Sequence, residues 1–195
     1  MTKRNVTALA LALACAAVPG PAYPQAGAKT PVACNVMTEK DAAAHAGAPL
    51  GSVNRDEIKP TAQNGQVHHT TCGFFPKGYE IRKADRPPEL GVELQLYARR
   101  NREDAKSSHD SYRSMAEERA KATRGAEKVV PVPGIGEETY MLTRTLEPKP
   151  GAVYEIAYVR VLKGRVAAQV TAWKKGAPAD EIAKSAAKQV AARLP

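Results

Sequence analysis

The segment AVYEIAYVRVLKGRVAAQVTAW, residues 152–173, decides the fold class. β-Branched and aromatic residues dominate both halves, no proline interrupts them, and Lys163-Gly164 stands between them. This pattern predicts two long strands joined at Lys163-Gly164, with the glycine accepting the positive φ that tight hairpin turns require. Working outward, TYMLTR (139–144) predicts a third strand. Further upstream, GVELQLYAR (91–99) alternates Val92, Leu94, Leu96 and Ala98 with Glu93, Gln95, Tyr97 and Arg99, the signature of a half-buried strand. VHHTTCGFF (67–75) predicts a strand, and GSVNRDEI (51–58) has room for a short one.

Three helices frame these strands. Thr38 is placed as an N-cap, with Asp41 as the acidic member of a capping box, and Gly47 and Pro49 end that helix near residue 46. Residues 102–124 form the longest helical pattern. Its apolar stripe of Ala105, Tyr112, Met115, Ala116 and Ala122 is thin, and Gly125 follows as a stop. The last helix follows Pro178. Asp180 and Glu181 complement its positive end, and Ile182, Ala186, Val190 and Leu194 form its buried stripe. Residues 29–33 read as an extended lead-in, 76–90 and 145–151 as loops, and 129–138 as a proline-glycine turn region. The expected architecture is α+β: an antiparallel sheet with helices packed on one face, in the order α-β-β-α-β-β-β-α. That order hints at a duplicated unit.

The first 28 residues read as a signal peptide: Lys3 and Arg4, an apolar run from Val6 to Val18, and small residues Ala26 and Ala28 at the exit. That run is too short to span a bilayer, which takes about 20 residues. Cleavage leaves residues 29–195 as a single domain and lowers the formal net charge from +9 to +7 by removing Lys3 and Arg4. Cys15 follows Ala12-Leu13-Ala14, a loose lipoprotein processing pattern without the usual leucine at position 12. Lipid anchoring at Cys15 is therefore the alternative to its removal. Membrane contact is otherwise peripheral. After cleavage Cys34 and Cys72 remain, and two cysteines in an exported chain pair as a disulfide. A basic exported chain favours anionic lipid, glycan or envelope protein as partner, and not nucleic acid.

The sequence points to no catalytic, cofactor or metal site. His68 and His69 are adjacent in a strand and so face opposite ways, and His45 and His109 stand isolated on helical segments. Ser185 and Lys188 match a Ser-x-x-Lys spacing, but the companion motifs of that enzyme class are missing. Gly134 and Gly136 form a lone Gly-x-Gly without the rest of a dinucleotide fingerprint. Glu117-Glu118 and Glu137-Glu138 are adjacent rather than convergent. The remaining candidate is a ligand face on the hairpin: Tyr154, Tyr158 and Arg160 share one side of their strand, and Trp173 falls on the next. Alternatively, that face packs under helices with Arg160 at its rim.

CNVMTEKDAAAHAGAPLG (34–51) and CGFF (72–75) together resemble the opening of a family of small exported bacterial domains of unknown function. VPGIGEETYM (132–141), VRVLKGRVAAQVTA (159–172) and the terminal helix resemble its later motifs. The family includes lipoproteins and sensor-kinase ectodomains. The resemblance implies a TATA-binding-protein-like fold and a ligand- or partner-binding module, and it carries over no functional residue. The expectation is a non-catalytic, exported cell-envelope module of the periplasm or secreted space. A small periplasmic hydrolase and a structural accessory protein of an envelope complex are the alternatives.

Overall fold

A computed structural model describes residues 30–195 apart from 82, 83, 85 and 125. The predicted signal segment 1–28, with Lys3, Arg4 and Cys15, and the predicted helix stop Gly125 lie outside the described residues. Among the described residues the fold is α+β, with one antiparallel sheet of seven strands and four helices.

After non-helical residues 30–32, with Val32 extended as expected, comes a one-turn helix, α1 (Ala33–Val36), that the sequence does not announce. Its first amide donates to the Thr70 hydroxyl at 3.0 Å in a buried position. In α2 (Glu39–Ala46), Thr38 and Asp41 form the predicted capping box, and Gly47 ends the helix in the left-handed region at φ 69°. Three strands follow: β1 (Ser52–Ile58), β2 (His68–Phe75) and β3 (Leu90–Ala98). Then come the long helix α3 (Arg102–Ala122), β4 (Glu127–Pro131), β5 (Glu138–Leu146), β6 (Tyr154–Lys163), β7 (Val166–Lys175) and α4 (Asp180–Arg193).

The strands are ordered β1-β2-β3-β7-β6-β5-β4. The two edges carry the strands that local sequence specifies least. β1 carries exposed Arg55, Asp56 and Glu57, and EKVVP at β4 ends in a proline, which an edge strand tolerates because no amide is needed there. β4 occupies part of what reads as a turn region, so both helix-led runs hold one more strand than their hydrophobic patterns show. The hairpin turn is Gly164-Arg165 rather than Lys163-Gly164, because Lys163 pairs with Val166. Gly164 supplies the positive φ, at 53°.

The principal core lies on one face of the sheet. Val92, Leu94, Leu96, Val159, Val161 and Val170 are fully or almost fully buried there. They meet Ile182, Ala186 and Val190 of α4, with Ala33 and Val36 of α1 and Ala42 of α2 beside them. Alanine dominates the buried face of α4, which lets the helix axis approach the strands closely. The disulfide Cys34–Cys72 ties α1 to β2 across 5.1 Å between Cα atoms.

The helices do not share one face. α3 lies on the side opposite α4: its Tyr112 contacts Arg160, and its His109 contacts Tyr140. Both partners alternate away from Val159, Val161 and Met141, which belong to the principal core. A sheet covered on both sides needs strands apolar on both sides. β6 meets this with buried Ile156, Ala157, Val159, Val161 and Leu162 in one strand.

Candidate functional site

The antiparallel register sets the face beneath α3. Tyr140, Arg160, Gln169 and Gln95 stand side by side across β5, β6, β7 and β3. The next row on the same face holds Leu142, Tyr158, Thr171 and Glu93, and the one beyond it Arg144, Ile156, Trp173 and Gly91. Between this face and α3 opens a cleft of about 310 Å³. Tyr140, Leu142, Tyr158 and Arg160 line it from the sheet, and Tyr112, Met115 and Arg119 from the helix. Met115 is 54% exposed and Tyr112 41%, although both lie on the side of α3 that the sequence marks as buried. The residues that α3 does bury are Ala105, His109 and Ala116.

The four candidates of the hairpin face separate into two pairs. Tyr158 and Arg160 line the cleft. Trp173 packs instead against Phe75, ring centroids 5.7 Å apart, and Phe75 contacts Tyr79 of the following loop. Trp173 is paired with Ile156, four residues from Arg160 along the strand, or about 13 Å. Tyr154 is buried at the far end of β6.

Arg160 is not at a rim. It is 1% exposed, and its guanidinium carbon lies 3.8 Å from the centre of the Tyr112 ring and 5.0 Å from that of Tyr97. Its Nη1 donates to Gln169 Oε1 at 3.2 Å. Its Nε and Nη2 are buried without a hydrogen-bond partner. Desolvation lowers its affinity for the proton, yet arginine starts so high that it remains a cation. Glu93, on the same face, pairs with Gln95, and burial pushes its carboxyl above the usual carboxylate range. At the mouth, Arg119 and Arg144 share the buried carboxylate of Glu127 at 2.6 and 3.5 Å. Burial also raises the phenols of Tyr97 and Tyr158, and that of Tyr140 to about 12, so all three stay neutral at physiological pH.

His109 Nδ1 is a further buried atom without a partner. Burial first, and the charge of Arg160 second, lower its pKa to about 4, so its ring is neutral near pH 7. His68 and His69 do face opposite ways. His68 reaches Glu57 at 2.7 Å, and His69 stacks on Tyr97 with ring centroids 4.5 Å apart.

Away from the cleft, His45 is not isolated. Its Nδ1 lies 2.8 Å from Ser185 Oγ, and its Nε2 is hydrogen-bonded to Gln189, which donates to Asp41 at 2.7 Å. Ser185 sits in mid-helix and is exposed. The amides around it bond within the helix, so none is free to stabilise an oxyanion. Lys188 stands three residues on from Ser185. Among the described residues, no three His, Cys, Asp or Glu side chains converge as a metal site would require.

Tyr112 and Tyr140 are cleft residues that the sequence does not mark as part of a site. Tyr140 joins Arg160 only through the β5–β6 register, and Tyr112 only because α3 crosses to the second face. The chain shares its fold with a known extracellular domain. That structure is the extracellular domain of PknH from Mycobacterium tuberculosis, with a TM-score of 0.52 over 81% of this chain and 92% of that one. Sequence identity is 13%, so the likeness is one of fold. No protein-family model and no curated protein matches the chain. No helix among the described residues is long and apolar enough to cross a membrane.

Proposed function

We propose that this protein is an exported, non-catalytic module of the cell envelope that binds a ligand or partner in the cleft between α3 and the sheet. The observation that carries this reading is the cleft itself: about 310 Å³, apolar and aromatic, with a few polar groups converging on it. The Cys34–Cys72 bond supports export, because such bonds persist in oxidising compartments. The likeness to the PknH extracellular domain supports an ectodomain-type α+β fold; the finer assignment, a TATA-binding-protein-like sheet, is part of this proposal and rests on the sequence resemblance. Anionic lipid, glycan or envelope protein fits the basic chain, and membrane contact is peripheral or runs through a lipid on Cys15.

The hydrolase alternative would rest on Ser185 and His45. Their mid-helix position, without oxyanion donors, weighs against it. Native mass spectrometry of the protein recovered from its own envelope tests the proposal. The expected result is a bound small mass that disappears in Met115→Trp, a substitution at a half-exposed cleft position. A chain free of any ligand in both forms overturns the reading. If the free chain travels in a heavier complex that Met115→Trp leaves intact, the structural-accessory alternative takes its place.

A further inference from the structure

Burying a cation without a counter-ion is costly, and proteins pair such groups or neutralise them. Arg160 does neither. Among the described residues no carboxylate lies within ion-pair distance of it, and Gln169 offers its one hydrogen-bond acceptor. The pattern of satisfaction is specific. Nε–H and the neighbouring Nη2–H lie on one edge of the guanidinium, and that edge forms the two parallel bonds of a bidentate carboxylate pair. Both nitrogens of that edge are the ones without a partner, while Nη1 on the other side is engaged. The charge around the cleft is also uneven: three guanidiniums line it, and Glu127 beside it neutralises part of two.

We propose that Arg160 is the recognition residue for a carboxylate on an aromatic or aliphatic body, held in the cleft between α3 and the sheet. The assignment rests on the binding reading above and gives its ligand a chemical class. The carboxylate takes the Nε–Nη2 edge. The body lies along Met115, Leu142 and Tyr158, which line the same cleft. Tyr112 stacks over the guanidinium from an exposed position on α3, so it is the side chain that swings to admit the ligand. A carboxylate is favoured over a phosphate monoester because Arg160 meets it with a single charge. The one charge left over where Arg119 and Arg144 share Glu127 sits at the mouth of the cleft rather than beside the free edge.

The test uses calorimetric titration of the mature chain with 2-naphthoate, its neutral analogue 2-naphthamide, and 2-naphthyl phosphate. The expected result is at least tenfold tighter binding of the naphthoate than of either other probe. Arg160→Met should remove that preference. Arg160→Lys, which keeps the charge and loses the fork, should remove most of it. Gln169→Glu serves as a second variant that places a carboxylate next to Nη1. It should weaken naphthoate binding at least fivefold while raising thermal stability, and it guards against loss of folding in the Arg160 variants. Equal binding of acid and amide overturns the assignment of Arg160 but leaves the cleft as a binding site. Tighter binding of the phosphate overturns the choice of carboxylate. No binding of any probe overturns this inference, whereas the broader reading stands or falls on the envelope-derived mass spectrum.

Discussion

Replacing Arg160 by methionine should make the protein more stable. Methionine keeps most of the side-chain length and volume, so the cavity left behind is small. Two buried nitrogens without acceptors cost about 1–3 kcal/mol each, or about 4 kcal/mol together. On the other side stand one charge-assisted bond to Gln169, about 1.5 kcal/mol, and stacking on Tyr112 and Tyr97, about 1.5 kcal/mol for the two. The balance favours Arg160→Met by about 1 kcal/mol, in the direction seen when buried ions give way to apolar residues. For a chain of this size, that is a rise in Tm of roughly 3 °C. Urea unfolding at pH 7 should show a higher midpoint at unchanged slope. A loss of about 2 kcal/mol or more would mean that Arg160 is well satisfied in the folded protein, and the reasoning behind its free edge would fail.

His109 should make stability depend on pH. Its folded pKa of about 4 lies below the unfolded 6.5, so the unfolded chain takes the proton first. This contribution is fully present above pH 6.5 and is lost as pH falls toward 4, by about 3 kcal/mol in all. His109→Gln should flatten that slope relative to wild type, measured as urea midpoints at pH 4.5 and 7. An identical slope in both proteins would place the dependence elsewhere. Breaking the Cys34–Cys72 bond opens a 38-residue closure, which the chain-entropy model values at about 4 kcal/mol. Thermal melts with and without reductant should therefore differ by roughly 8–16 °C. A difference of about 2 °C or less would contradict the assignment. Gly136→Ala and Gly134→Ala form a matched pair, since both glycines have positive φ, at 61° and 79°. An added methyl at Gly136 meets Val161 Cγ1 at 2.5 Å and the Leu162 carbonyl at 2.8 Å, whereas at Gly134 it meets nothing within 4 Å. Chemical denaturation should show the first variant losing about 2–4 kcal/mol and the second about 1–2.

Local chemistry carries much of this fold. The Thr38–Asp41 capping box, the alternation of β3, the terminal helix and the pairing of Cys34 with Cys72 all follow from neighbours or from the oxidation chemistry of two cysteines. The edge strands are fainter: the sequence only leaves room for β1, and β4 falls partly in what reads as a turn region. β1 and β4 are held by backbone bonds along one side, so their side chains need no hydrophobic pattern. The second covered face left a trace in β6, where Ile156-Ala157 and Val161-Leu162 are apolar on both sides. Its helix hid it, because α3 covers the sheet largely with alanine, histidine and tyrosine rather than with a broad aliphatic stripe. The burial of Arg160 was the least legible feature. An arginine in an amphipathic strand is ordinarily found at the surface, and only the crossing of α3 removes this one from water.

The strand order has a consequence for folding order. β3 never pairs with β4; the two halves of the sheet meet only through β7, the last strand in the chain. Leu94 pairs with Val170, 76 positions later. Until β7 exists, the chain can form two separate three-stranded pieces, β1-β2-β3 and β6-β5-β4, each with an open inner edge. Contacts at such separation form slowly, because loop closure is paid before the pairing rewards it. β7 therefore acts as a keystone. A chain still emerging from its point of synthesis stays divided until residues 166–175 are out.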